Sequence, residues 1–579
     1  MKFKTWTTKK IFKKERVMRN MLILLFALSL PLSVNAQERG ERDHYNLDPK
    51  PYDPAVDPDG AMFVKNWQES ARKTIFGSLS EWDILTPSDG DSEHPKARGA
   101  VLTAITRLTY GLLDPGKSTT LATLHGEQKI FYFVSGTGTF VGGRKSATVR
   151  EGIGVVVAPD IEFTITNTVG EPLAMYIITE PIPEGFKPNK EIVVKDERGT
   201  KWSSNNVHWS HNYKNFINSN DGLAVLTGMG PVWYMPETIG QPHTHGDPVE
   251  EIWFALRGDT TLLLGKQFFH LPPGTAYKIP PTGYTGHSNI NASDKPIKMF
   301  WMMRGGEPGR KGFKYGELDP APYDPKTESR IDMFISGYKE HMQYSTHGTL
   351  IERDMFTHND GDAARPTDRG SVLKYLDRFT YATLLEGDRT IPTTLTDTQE
   401  LCYILEGKGT ITGGGKTYDL YPGIAFMVPK GMEFVMENTT GEPMSMYLVA
   451  EKVDESFKAV KSIVWRDENV EPFHTTTAHW VNNNKWLIRK EEGLSRINLF
   501  LTVTIPPDTF AQPHSHDPGT EEIWAAIDEP IYFLLGKQIR TMEFGEAHLI
   551  PPDSKTPHAN FNPGKKPVKM LYIGLFDQK

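Results

Sequence analysis

Along most of this chain the hydrophobic positions fall in short runs rather than helical stripes. Phe131-Tyr132-Phe133-Val134-Ser135-Gly136-Thr137-Gly138, Trp253-Phe254-Ala255-Leu256-Arg257-Gly258 and Leu401-Cys402-Tyr403-Ile404-Leu405-Glu406-Gly407 are apolar and aromatic runs closed by glycine. Runs of this kind are strands, and they recur every ~8–12 residues with Gly, Pro and Asn between them, the signature of an all-β sandwich or barrel. Helical periodicity is scarce; Asp332 to Tyr344 is the best short candidate.

The strand pattern is written twice. Pro51-Tyr52-Asp53-Pro54 returns as Pro322-Tyr323-Asp324-Pro325, Met62-Phe63 as Met333-Phe334 and Gly77 as Gly348. Gly136 maps to Gly407, Gly170-Glu171-Pro172 to Gly441-Glu442-Pro443, and His208-Trp209 to His479-Trp480, all at one offset of 271 residues. The chain is therefore one unit of roughly 270 residues repeated. Between these anchors the copies differ; Ala224-Val225-Leu226-Thr227-Gly228 faces Ser495-Arg496-Ile497-Asn498-Leu499. A residue set kept in both copies has resisted that drift. The weaker repeat of runs inside each unit predicts four β-domains in two pairs.

One such set carries chemistry. Gln241-Pro242-His243-Thr244-His245 and Gln512-Pro513-His514-Ser515-His516 each run on to Glu-Glu-Ile-Trp (Glu250 to Trp253, Glu521 to Trp524). Each continues to a Gly-Lys-Gln turn (Gly265 to Gln267, Gly536 to Gln538) and to His287 or His558. Positions i and i+2 of a strand share a face, so each His pair points together into its barrel. Three imidazoles and a carboxylate suit a divalent transition metal and leave positions open on an octahedral ion.

The order HxH, Glu, Gly, then Gly-x5-Pro and His-x3-Asn resembles the two motifs of the cupin superfamily. The residues are His243, His245, Glu251, Gly258, Gly274, Pro280, His287 and Asn291 in one copy, and His514, His516, Glu522, Gly545, Pro551, His558 and Asn562 in the other. The resemblance implies double-stranded β-helix (jelly-roll) barrels, four of them arranged as two bicupin units. The repeat, the N-terminal pattern and the motifs together divide the chain into a signal peptide at 1–36, an N-terminal arm at 37–100, a metal-free barrel at 101–190 and a metal barrel at 191–315. A linking arm at 316–371, a metal-free barrel at 372–460 and a metal barrel at 461–579 complete the expected organisation. The gap from HxH to Glu is one residue longer than the common form, so Glu250 and Glu521 compete with Glu251 and Glu522 as ligands. Glu529 stands where the last module would place its glycine. In the first and third modules Phe163 and Phe434 occupy the second-motif histidine position, so those barrels read as filled with side chains.

Length and charge narrow the partners. At 579 residues several domains are needed. A net charge of −8 with no basic cluster beyond the first twenty residues argues against nucleic acid. The single cysteine, Cys402, excludes intrachain disulfides and thiolate zinc clusters, and its place in a strand fits core packing. Lys9, Lys10, Lys13, Lys14 and Arg16 precede an apolar run from Met21 to Leu32 and a Val34-Asn35-Ala36 cleavage pattern. With Met18 or Met21 as alternative starts and no paired arginines, Sec export to the periplasm or medium is expected, with no membrane contact after signal removal. About two divalent ions per chain are expected. Acquisition outside the cytoplasm favours zinc, manganese or copper, though the ligand set also admits nickel and iron.

Several roles around the sites are expectations of the sequence alone. Glu250 and Glu521, if not ligands, are general-base candidates or partners that orient a ligand. Trp253 and Trp524 lie two residues past the ligand Glu and border each metal, either as wall or as a stacking platform for a flat-faced substrate. Asn291 and Asn562 are structural, and Gly265-Lys266-Gln267 is a hairpin turn rather than a phosphate cradle. Arg257, Tyr277, Lys278 and Tyr284 face Asp528, His548, Leu549 and Lys555 in the second copy, so the two surroundings differ. Three functional readings follow: a metalloenzyme acting on a small polar or carbohydrate-derived substrate, a non-catalytic exported binding protein, and a dioxygenase or decarboxylase-type bicupin. The partner is a small molecule in each case, and a homo-oligomer is compatible with all three.

Overall fold

The alternating runs form sheets that are antiparallel but for one short parallel strand beside each of Leu79–Pro87 and Leu350–His358, and the sheets pair face to face into barrels. A computed structural model describes residues 50 to 579 except 204–207, 210–211, 247–248, 306–320, 322, 476–478, 481–482, 577 and 579. The expected signal peptide and Pro322 lie outside the described residues. Among those described, the elements are strands and short 3-10 turns, and no helix is long and apolar enough to cross a membrane. The sheets have eight and three strands in the first barrel and seven and five in the second. They have eight and four strands in the third barrel and seven and four in the fourth.

The helix expected over Asp332 to Tyr344 does not form. Ile331–Phe334 and Tyr338–Glu340 are 3-10 turns flanking the strand Ile335–Gly337, followed by the strand Gln343–Thr346. Ile335–Gly337 pairs with Glu546–Leu549 and so extends the large sheet of the fourth barrel. Backbone pairing to an open sheet edge outweighs a short and weakly amphipathic helix. The first copy repeats the device: Val64–Asn66 pairs with Thr275–Lys278 of the second barrel.

Strands therefore cross the boundaries read from sequence. Leu79–Pro87, inside the stretch read as an arm, pairs with Arg107–Leu113 in the first barrel's large sheet. Val193–Asp196 pairs back onto Ile153–Val157 of that same sheet.

The large sheets of each pair bury an apolar face between them. Ile130, Tyr132, Tyr176 and Ile178 of the first barrel meet Ile252, Phe254 and Phe300 of the second in one core cluster. Tyr176 stacks on Phe254 at 4.1 Å, and Tyr132 lies 4.3 Å from Phe300. Ile252 and Phe254 are thus the outward face of the strand that carries Glu251 and Trp253 inward, as alternation requires. A separate cluster joins the small sheets of the second and fourth barrels, with Ile239, Leu263, Phe268 and Ile290 against Phe510, Leu534, Ile539 and Phe561. A 2.6 Å hydrogen bond between His270 and Asp508 closes the rim of that seam. The first and third barrels are filled by Phe131, Phe140 and Phe163 and by Cys402, Phe426 and Phe434 respectively.

Candidate metal centres

In the second barrel the strand His243–Gly246 pairs with Thr282–Asn291, placing His243 directly opposite His287. Glu250–Arg257 supplies Glu251 from the facing sheet. The ligand atoms of His243, His245, Glu251 and His287 lie within 4.8 Å of one another. His245 Nε2 is 2.8 Å from one oxygen of Glu251, and His287 Nε2 is 3.6 Å from the other. His243 directs Nδ1 at the carbonyl oxygen of Gln241, 2.8 Å away, which fixes the proton there and leaves Nε2 as the free lone pair.

Burial sets the protonation states. It depresses the basicity of His243 well below the ordinary range, with the neighbouring imidazoles adding to the effect, and it lowers His287 as well. Burial opposes ionisation of Glu251, but the facing imidazoles outweigh it and hold the carboxyl well below its usual range. Neutral imidazoles around an ionised carboxylate are the states a metal requires of its ligands. Both nitrogens of His287 are buried without a hydrogen-bond partner.

The fourth barrel gathers His514, His516 and His558 within the same distance. His514 Nε2 and His558 Nδ1 are buried without hydrogen-bond partners. Glu522 stands beside this trio, 3.0 Å from His516 and 3.5 Å from His558. One of its oxygens accepts a 2.6 Å hydrogen bond from the Tyr572 hydroxyl. The first centre places Trp301 at that position, so its carboxylate meets no such phenol.

Between the two glutamates of each pair, geometry chooses the second as the one at the centre. Adjacent strand residues face opposite sides, and Glu250 points away from the metal cluster. Its carboxylate accepts the N–H groups of Thr103, Ala104 and Ile105 and the hydroxyl of Thr103 at 2.5–3.2 Å, with Lys278 Nζ 3.5 Å away. Glu521 accepts from the N–H groups of Lys374 and Tyr375. The general-base reading of Glu250 and Glu521 is therefore corrected: each clamps a turn of the partner barrel. Glu180 returns the clamp in the first pair, taking the N–H groups of Ala224, Val225 and Leu226.

Trp253 and Trp524 are wall residues, 2% and 4% exposed, so the stacking-platform reading gives way. Trp253 donates its indole N–H to Glu251 at 2.6 Å, and Trp524 donates to Glu522 at 3.3 Å. Each indole orients the carboxylate that faces the imidazoles. Asn291 and Asn562 bond backbone carbonyls, as expected. Gly265 takes a positive φ of 63° in the hairpin between Thr260–Leu264 and Gln267–Leu271.

Sequence reasoning missed a fourth imidazole at each centre. His208 stacks on His243 at 4.3 Å and bonds the side-chain oxygen of Gln241 at 2.8 Å. His479 stacks on His514 at 4.4 Å, and burial pushes its pKa down to about 4. The signal was present: His208-Trp209 is kept in both copies.

Residues 232–303 and 380–450 match the family described as Cupin domain, which covers the second and third barrels. None of the curated proteins matches the chain. Among solved structures, protein Ylba from E. coli is 12% identical, with 44% of this chain and 95% of that one covered at a TM-score of 0.35. A variant oxalate decarboxylase of Bacillus subtilis is 10% identical, with 42% and 78% covered at a TM-score of 0.33. The second and third barrels thus each contain a matched cupin domain, set in an all-β chain of four barrels.

Proposed function

We propose that the chain is an exported metalloenzyme with a divalent transition metal in each of its second and fourth barrels, acting on a small polar or carbohydrate-derived substrate. The observation that carries this is the convergence of buried, unpartnered imidazole nitrogens on an ionised, buried carboxylate. Buried polar groups left without partners cost ~1–3 kcal/mol each, so such a cluster is unfavourable unless something binds it. The donor set fits a borderline divalent ion such as zinc or manganese. His243, His245, Glu251 and His287 would hold one ion; His514, His516, His558 and Glu522 would hold the other. A bound ion of this kind supplies Lewis-acid polarisation of a substrate oxygen or a water. The chain's own contribution is orientation: Gln241 fixes the His243 tautomer, the Trp253 indole fixes Glu251, and apolar walls exclude bulk water. The export signal pattern in the first 36 residues supports acquisition of the ion outside the cytoplasm.

A second reading, binding without turnover, gains from one finding. With Glu250 and Glu521 committed to backbone clamps, the remaining acid–base candidates are His208 and His479.

Elemental analysis of the periplasmic protein tests the proposal directly. Two equivalents of metal per chain are expected, falling to about one in His287→Ala. An unchanged stoichiometry in that variant would refute the ligand assignment. Metal-loaded protein that binds sugar acids but turns none over would decide for the binding reading.

A further inference from the structure

Around identical ligands the two metal barrels have unequal walls. In the second barrel the wall is closed on itself. The Tyr277 hydroxyl donates to the side-chain oxygen of Asn289 at 3.0 Å, and the Asn289 amide reaches the Tyr234 hydroxyl at 3.4 Å. In the fourth barrel the corresponding residues are His548, Asn560 and Ile505, and that chain of hydrogen bonds is broken. His548 Nε2 and Asn560 Oδ1 are both buried without a hydrogen-bond partner. The two side chains are 0% and 2% exposed.

Register places both atoms inside the barrel near the metal ligands. His548 pairs with Trp524, so it shares the face of Trp524 and Glu522. Asn560 lies two residues beyond His558 on the same strand and so shares its face. One neighbour sets the tautomer of His548. His548 Nδ1 is 3.4 Å from the sulfur of Met542, which only accepts, so Nδ1 carries the proton and Nε2 presents a lone pair. The ring is locked there by stacking on Phe533 at 4.1 Å. Two acceptors thus face the interior with no donor between them.

The side chains around this unmet demand also differ between the two barrels. Against the second barrel, Tyr234 becomes Ile505, Tyr277 becomes His548, Trp301 becomes Tyr572 and Met303 becomes Gly574. Met303 and Gly574 sit directly opposite Glu251 and Glu522, so this change also falls on the inner face. Gly574 is required where it stands, because a Cβ there would collide with the phenol of Tyr572. Leu262 becomes Phe533, the ring that holds His548, and on the same inner face Gly228 and Gly230 become Leu499 and Leu501.

Resting on the reading that the fourth barrel holds a divalent ion, we infer that this second centre binds a small polyhydroxy carboxylate. Two hydroxyls of the ligand donate to His548 Nε2 and Asn560 Oδ1, and its carboxylate faces the ion. A divalent cation with one carboxylate among its ligands keeps one positive charge, which favours a monoanion over a neutral polyol. The second barrel, with its wall already satisfied, makes no such demand. A site built around a substrate hydroxyl discriminates strongly against the analogue lacking it, because its buried partners are then left unpaired.

Isothermal titration of the zinc-loaded full chain with glycerate and with lactate tests this, since the two acids differ by one hydroxyl. Glycerate is expected to bind at least tenfold more tightly than lactate. His548→Tyr restores the phenol that donates to the asparagine in the second barrel and should reduce that preference to less than threefold with zinc still at two equivalents. Asn560→Leu removes one acceptor and gives an independent, intermediate loss should the first variant fold poorly. Equal affinity for the two acids in the native chain, a preference that survives in both variants, or two fixed waters with no bound acid would each overturn the inference. Fewer than two equivalents of zinc in the native chain would instead overturn the metal assignment beneath it.

Discussion

Glu250 and Glu521 do the same work in the two halves of the molecule, yet one has a cation behind it and the other does not. Lys278 lies 3.5 Å from Glu250 and donates to the carbonyl of Val101 at 2.7 Å, fully buried. At the matching place in the second half stands Leu549, also fully buried. Burial therefore acts on Glu521 with backbone N–H groups and, more weakly, the charge of Lys374 opposing it, and its pKa is pushed up to about 7. The comparison teaches that the clamp is a hydrogen-bonding device whose charge is optional. The two halves have kept its geometry and let its electrostatics diverge.

The largest effect should come from breaking the clamp that carries the ion pair. Glu250→Ala strands the buried Lys278 ammonium and three backbone donors, which should cost about 3–5 kcal/mol. Glu521→Ala strands donors but no cation, and should cost roughly 1–3 kcal/mol. Urea denaturation of the full chain reads both. Equal losses would mean that Lys278 adds nothing to the first clamp.

The pH dependence sharpens the same contrast. Glu521 binds its proton more tightly folded than unfolded, so between about pH 4.5 and pH 7 the unfolded chain releases a proton the folded chain retains. Stability contributed by this site is full below about pH 4.5 and falls as pH rises through about 7, by up to ~3 kcal/mol. Leu549→Lys, with the carbonyl of Val372 placed as Val101 is in the first half, should abolish that decline. Thermal melts of the two proteins at pH 5 and pH 7.5 measure it. A native chain as stable at pH 7.5 as at pH 5, relative to the variant, would contradict the charge state assigned to Glu521.

Much of this was legible in the chain and some was not, for identifiable reasons. The 271-residue repeat, the strand runs and the His pairs of HxH follow from local periodicity, and the structure assembles them as that periodicity dictates. Alternation also held the answer to which glutamate reaches the centre, because neighbours on a strand face opposite ways. The turn that claims Glu250 lies 145–147 residues upstream, and no local pattern announces it. Tyr572 was invisible for the same reason, since its hydroxyl meets Glu522 only through a pairing across the sheet. The helix over Asp332 to Tyr344 failed because the edge strand it forms instead is defined by a partner more than 200 residues away.

The smallest expected effect lies in how each ligand carboxylate is held. Glu251 takes a 2.6 Å hydrogen bond from the Trp253 indole, while Glu522 is shared between a 3.3 Å bond from Trp524 and a 2.6 Å bond from Tyr572. Groups that orient a metal ligand typically cost about 10–100-fold in metal affinity when removed. Trp253→Phe should therefore weaken metal at the first centre by about tenfold, near the low end of that range because burial still confines the carboxylate. Trp524→Phe should weaken the second by less than threefold, because the phenol remains as the shorter and stronger donor. Adding Tyr572→Phe to the latter should recover the larger loss. Competition with a chelator, read separately at each centre in His558→Ala and His287→Ala backgrounds, distinguishes these cases. If the two tryptophan variants lose affinity equally, Tyr572 does not hold Glu522, and the two carboxylates differ in position alone.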